Sequence, residues 1–394
     1  MSNANITKFV GSKEPKAKFL DYFKSHNKTI LNYINSNILL TKYGRGAIQL
    51  LLSDIPSIKG RDVLLPAFMC PSVIQAIEYS GFNPVFYPLR PNLHANIEYL
   101  ENVVDSNVAA VILVQYFGFE SNTRELQLLC SDHGIPLIED WSHSFLQRGS
   151  NTLAGGVGDF QIYSFWKIAA CEYGGGIRCK YSCDIPRKLS RNSPMVCLRM
   201  IKDTLYTPDI FISLPNKTTS DSFIRQHKNH NSQEHLSNDE RYLAWYRENA
   251  GDYDKTIPYL SKRLLYTSAI EKIISVRRRN YQFYLDTLKN IESVTPLIGI
   301  LPADTCPWVF PILLPMRSML APLLRESGVP LFTFGETLHP TQREFFLKNK
   351  KVYDSVMKLI DLSVCLPVHQ NITLEMISFY IDRISALVNL QINK

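Results

Sequence analysis

The chain has 394 residues, enough to bury a sizeable core and to form two domains or one large α/β unit with a cap. Hydrophobic residues at 45%, charged residues at 20% and a net charge of +7 exclude a strongly basic nucleic-acid binder; the charge serves solubility first and is compatible with anionic small molecules such as phosphates or nucleotides. The runs Arg277-Arg278-Arg279 and Lys348-Asn349-Lys350-Lys351 read as solvated helix faces, because no nucleic-acid-binding motif accompanies them. The cysteines are scattered without a CxxC pair and read as reduced thiols of a cytoplasmic protein, with no metal site. No secretory pattern is visible, and the longest apolar run, Val108 to Phe119, is too short for a membrane span.

In chain order, a polar N-terminal arm with an amphipathic patch (Phe19, Leu20, Tyr22, Phe23) leads to Tyr43-Gly44-Arg45-Gly46, which opens an apolar helical pattern. Free backbone N–H groups and a positive dipole end make such a start a phosphate cradle, although it lacks the Walker A and dinucleotide fingerprints. Strands and helices then alternate. Val63 to Pro66 is a strand, and Pro71 starts a helix that runs to Tyr79. Pro84 to Tyr87 is a strand, Ile97 to Val103 a helix, Ala109 to Phe117 a continuous apolar strand, and Thr123 to Cys130 a helix. Further strands end at Asp140 and Ser164, and Gly175 to Cys179 follows. This rhythm predicts a mainly parallel sheet covered on both faces. Residues 202–255 form a polar insertion whose histidines (His227, His230, His235) lack ligand partners. After it, Leu265 to Leu288 is a long helix, Val309 to Leu314 and Gly328 to Phe332 are strands, and Met319 to Arg325 and Val352 to Ile360 are helices. Cys365 to His369 precedes a last helix, Leu374 to Leu390.

Lys167 is the pivotal residue. It closes the aromatic, β-prone run Phe160 to Phe165, just outside the carboxyl end of a buried strand, where ligands collect in open α/β sheets. Desolvation there lowers a lysine's pKa, and a neutral amine is what Schiff-base chemistry needs. Asp140 ends another strand of the same region. That pairing suggests pyridoxal 5′-phosphate, with the lysine joined to the cofactor and the aspartate keeping its ring nitrogen protonated.

In this order the pieces resemble a PLP-dependent aminotransferase of fold type I, specifically the DegT/StrS-type sugar aminotransferases. The resemblance rests on Gly44-Arg45-Gly46-Ala47, Leu65 to Cys70, Gly118, Ile138 to His143, Gly158-Asp159, Tyr163-Ser164-Phe165, Lys167, Gly174-Gly175-Gly176, Arg279-Asn280-Tyr281 and Leu366 to His369. It implies a mainly parallel seven-stranded sheet between helices in a large domain, residues 1–264, and a smaller C-terminal α+β domain, residues 265–394. By resemblance, Lys167 and Asp140 are catalytic, and His143 lies near the cofactor's phenolic oxygen. Ser164 contacts the phosphate, and Gly44, Arg45 and Gly46 surround it. The segment Phe68 to Cys70 supplies the contact on the cofactor ring, with Cys70 at the stacking position. The family pattern also implies an amino donor, with glutamate as first choice, and a keto-sugar acceptor, often nucleotide-linked. It implies a role in polysaccharide or secondary-metabolite biosynthesis and a homodimer with sites at its interface.

The sequence departs from the common pattern. Ser164 and Lys167 lie two residues closer than in many members, Ala169 to Tyr173 replaces the usual acidic-glycine approach, and no Gly-x-Asn segment is recognisable. A PLP enzyme of another reaction type (a lyase, dehydratase or non-sugar aminotransferase) and a non-catalytic PLP-binding regulatory protein stay open at this point. Lys167 argues against the family's dehydratases, which carry histidine there.

Overall fold

The computed structural model describes residues 12–25, 34, 38–53, 61–150, 152–180, 189–206, 253–289, 291–350 and 353–392. Most of the polar insertion, 207–252, with its three histidines, lies outside the described residues.

The central sheet has seven strands in the order β1-β7-β6-β5-β4-β2-β3. They are β1 (Ile38–Thr41), β2 (Asp62–Pro66), β3 (Asn83–Tyr87), β4 (Val108–Val114), β5 (Leu137–Trp141), β6 (Phe160–Ser164) and β7 (Gly175–Cys179). The pairs from β6 through β5, β4 and β2 to β3 are parallel, and β7 runs antiparallel between β6 and β1. Every residue of β4 and β5 is buried, because a parallel sheet covered on both faces leaves neither side to water. Helices α1 (Gly44–Ser53), α2 (Pro71–Tyr79), α3 (Ile97–Val103) and α4 (Thr123–Asp132) alternate with the strands as the apolar periodicity predicts. Pro71 sits in the first turn of α2, where its missing N–H costs nothing.

Helices α5 (Pro194–Tyr206), α6 (Tyr259–Tyr266) and α7 (Ile270–Leu288) follow. The long helix expected from Leu265 is broken. The hydroxyls of Thr267 and Ser268 both donate to the Leu264 carbonyl (3.1 and 3.0 Å), which closes α6 before α7 begins. A second, antiparallel sheet has the order β10-β9-β8, from β8 (Thr295–Pro296), β9 (Val309–Leu313) and β10 (Ser363–Pro367). Around it lie α8 (Arg317–Glu326), α9 (Pro340–Lys348), α10 (Asp354–Leu362) and α11 (Leu374–Ile392). The strand expected at 328–332 is absent: Gly328 turns the chain at φ +92° after α8, Pro330 has no N–H, and only Phe332 pairs, with Cys365.

The thiol expectation needs one correction. Cys70, Cys130, Cys171, Cys197, Cys306 and Cys365 are free, but Cys179 is disulfide-bonded. Among the described residues no cluster suits a metal ion and no helix is long and apolar enough to cross a membrane.

Candidate active site

The site lies at the carboxyl ends of β5 and β6, where the 3₁₀ turn Phe165–Lys167 leaves the sheet. Asp140, four residues into β5, is only 4% exposed. Burial pushes its carboxyl above the ordinary value, opposed by hydrogen bonds from Ser142 and by the charge of Lys167. Its Oδ1 accepts the backbone N–H of Ser142 at 2.8 Å. Lys167 is half-buried by accessible area, yet its amine is deep enough in protein for desolvation to lower its pKa; a side chain lining a concave site meets both conditions. Cys70, Asp140 and Glu14 oppose that shift electrostatically. Its Nζ stands 4.5 Å from the centroid of the Trp308 ring.

Gly44, Ser142 and Ser164 converge. A Cβ at Gly44 would lie 3.3 Å from Ser142 Oγ, 3.5 Å from Ser164 Cβ and 3.2 Å from the Tyr163 carbonyl oxygen. The first turn of α1 therefore presents its backbone directly beside two hydroxyl-bearing residues, a donor set suited to a phosphate. Gly175 is required behind it, since any Cβ there would collide with the Tyr43 carbonyl and the Gly44 nitrogen. Gly46 meets the Tyr253 carbonyl oxygen at 2.6 Å from an ideal Cβ, so it too is held by close backbone approach. The guanidinium of Arg45 stacks 3.8 Å from the centroid of the Tyr43 ring.

His143 is 3% exposed, and its Nδ1 accepts the backbone N–H of Phe117 at 2.9 Å. Burial holds its pKa well below the usual histidine value, with the charge of Lys167 adding to the effect, so the ring is neutral and carries its proton on Nε2. The ring sits 4.4 Å from Trp308 by centroids. Cys70 caps the start of α2 and is half-buried, with its Sγ 3.1 Å from Ser72 Oγ. Phe68 is fully buried instead, packed against Tyr116 and Phe334.

Three residues of this region carry no sequence signal as site residues. Trp308 precedes β9 and reaches Lys167 only through the fold. Glu14 comes from the N-terminal arm and accepts the indole N–H of Trp308 at 3.3 Å. Arg277, read from the sequence as part of a solvated basic run, is completely buried. Its guanidinium donates to the carbonyls of Lys167 (3.0 Å), Ile168 (3.2 Å), Pro307 (3.2 Å) and Trp308 (2.9 Å). It ties the segment after the lysine to the loop that carries the tryptophan.

This sheet, with a buried strand-end carboxylate, a desolvated lysine and a hydroxyl-lined helix start, has the architecture of the PLP-dependent transferases of fold type I. An aminotransferase, TlmJ, from Streptoalloteichus hindustanus has the same architecture: TM-score 0.67 at 15% identity, covering 97% of this chain and all (100%) of that one. Residues 22–177 match the model of the DegT/DnrJ/EryC1/StrS aminotransferase family. Curated relatives include a GDP-perosamine synthase of Vibrio cholerae, 24% identical over 41% of this chain and 44% of the relative. A UDP-N-acetyl-3-dehydro-alpha-D-glucosamine 3-aminotransferase of Acidithiobacillus ferrooxidans is 26% identical over 37% of this chain and 40% of the relative. The matched stretch thus spans less than half the length of either relative. Family and fold imply pyridoxal 5′-phosphate as the cofactor, and the Gly44–Ser142–Ser164 convergence beside Asp140 fits it.

Proposed function

We propose that the protein is a PLP-dependent aminotransferase that moves an amino group from an amino acid, with glutamate the first donor to test, to a keto-sugar linked to a nucleotide. The observation that carries this reading is the placement of Asp140 near the end of β5 and of Lys167 in the turn just beyond the neighbouring β6, close enough for each to act electrostatically on the other. The nucleotide-linked sugar is supported by the relatives, whose names specify GDP- and UDP-linked sugars.

When bound, the cofactor supplies an electron sink for bond breaking at the donor's α-carbon. The chain's own residues do the rest. Lys167, its pKa lowered by desolvation, would hold the cofactor and then carry the proton taken from the donor's α-carbon. Asp140 would hold a proton on the ring nitrogen. The Nε2–H of His143 would donate to the phenolic oxygen. Gly44, Arg45 and Gly46 would surround the phosphate with backbone N–H groups, and Ser164 would add its hydroxyl. Cys70 would lie against the ring.

This reading divides the chain into a large cofactor-binding domain, 1–264, and a smaller one, 265–394. It also includes a cytoplasmic homodimer working in polysaccharide or secondary-metabolite biosynthesis. The exposed apolar side chains of Phe19, Leu20 and Phe23, with Met195, Leu198 and Leu205 on α5, offer such a dimer a surface.

The test is the absorbance spectrum of the protein with added PLP, before and after L-glutamate, for wild type and Lys167→Ala. A visible band that needs Lys167 and bleaches with glutamate is the expected result. A band indifferent to every amino acid donor, or none that depends on Lys167, would overturn the proposal.

A further inference from the structure

We propose that Glu14, delivered by the N-terminal arm, is a positioning residue of this site: its carboxylate fixes the Trp308 indole against the amine of Lys167. The inference rests on the reading of Lys167 as the reactive amine, but its geometry stands apart from any cofactor.

Trp308 is 5% exposed and touches both partners. Its ring centroid is 4.5 Å from Lys167 Nζ, and its Nε1–H donates to Glu14 Oε2 at 3.3 Å. On its remaining sides lie His143 at 4.4 Å and Phe332 at 5.1 Å by centroids. The indole N–H therefore has one acceptor that sets the plane of the ring beside the lysine. The arm is itself anchored. The Ser12 carbonyl accepts the Nε2–H of His369 at 2.7 Å, and the Lys16 backbone N–H donates to Asn371 Oδ1 at 3.2 Å. These bonds bracket Glu14 and hold it against the end of the small sheet.

Charge adds to the geometry. The groups that act on Glu14 are Arg277 from α7, Lys167 from the 3₁₀ turn and the Trp308 N–H. Desolvation outweighs them and pushes its carboxyl up to about 7. Cys365 of β10 lies close enough for its thiol to respond to the Glu14 charge. Around Lys167 the other groups are Cys70, Asp140 and His143. Above neutral pH, Glu14 is thus a negative charge, held by its own backbone anchors, that favours the ammonium form of Lys167 and places an aromatic wall next to it. A carboxylate so placed moderates the fall in the amine's pKa that burial causes, while the indole covers one side of it.

The experiment is pH-dependent labelling of Lys167 by acetic anhydride in the full-length chain freed of cofactor, read by peptide mass spectrometry. Trp308 emission is read as the difference between each protein and its Trp308→Phe counterpart. Glu14→Gln keeps an acceptor for the indole and removes the charge. It should lower the labelling midpoint of Lys167 by about half a pH unit or more and leave the Trp308 emission in place. Glu14→Ala removes both and should lower the midpoint and shift the emission. An unchanged midpoint in Glu14→Gln, with cooperative unfolding intact, would overturn the inference, as would an unmoved Trp308 emission in a folded Glu14→Ala. Failure of the aminotransferase reading would look different: no Lys167-dependent band with PLP, with the labelling shift still present.

Discussion

The backbone N–H of Phe117 donates to Nδ1 of His143 across 2.9 Å, and this bond decides which nitrogen of the ring can act. Phe117 sits at φ 58°, in the left-handed region, and Gly118 follows at φ 92°. The strained turn aims the amide at the imidazole. A Cβ at Gly118 would lie 2.6 Å from the Cys306 carbonyl oxygen, so the turn has no room for a side chain there.

Replacing that ring exposes the cost of the bond. His143→Ala leaves a buried N–H without a partner and opens a cavity beside Trp308. It should lose about 2–4 kcal/mol of stability in urea denaturation. His143→Gln, which can still accept a hydrogen bond, should lose less than half as much.

The proposed phosphate cradle depends on a glycine outside it. Gly175→Ala drives a methyl group into the Tyr43 carbonyl and the Gly44 nitrogen, so it should destabilise by roughly 1–3 kcal/mol or more and weaken PLP binding. Gly299→Ala meets nothing within 4 Å and should be neutral or stabilising by about 0.4–1 kcal/mol. Equilibrium unfolding of both variants and PLP titration of the first check the pair.

Arg277 and Arg279 are two residues apart and should respond very unequally to the same change. Arg277→Lys cannot span four carbonyls on two segments and should cost roughly 2–3 kcal/mol. Exposed Arg279→Lys should stay within about 0.5 kcal/mol. Denaturation midpoints at constant slope measure both.

Burial lowers the pKa of His369 to about 3, from an ordinary value of 6.5. The folded state therefore binds fewer protons than the unfolded chain below about pH 6.5. Stability from this group is present above that value and is lost as pH falls towards 3, by up to about 1.4 kcal/mol per pH unit. His143 acts in the same direction. Glu14 acts in the opposite one: its raised carboxyl favours the folded state at low pH, and that contribution is lost as pH rises from 4.5 to about 7. His369→Gln should flatten the fall in stability between pH 6.5 and 5, measured by urea denaturation at each pH. An unchanged slope would remove His369 from the acid response.

Local pattern alone determined the alternating strands and helices through Cys179, the start of α1 at a glycine pair, and the position of Lys167 and Asp140 at strand ends. Each depends on neighbours within a few residues: an apolar run for a covered strand, a proline for a first helical turn, a glycine where backbone meets backbone. Arg279-Asn280-Tyr281 and Leu366 to His369 entered only as separate elements of a resemblance, and the fold brings them together, because Asn280 Nδ2 donates to the Val368 and Ile372 carbonyls (3.1 and 3.0 Å). Tertiary structure alone decided that Arg277 is buried, that residues 328–332 form no strand, and that Glu14 and Trp308, 294 positions apart, meet beside Lys167. The reason is range. Periodicity reports which face of an element is apolar, whereas a buried guanidinium or a carboxylate from a distant arm is set by which backbone carbonyls and ring N–H groups the packed chain brings to it.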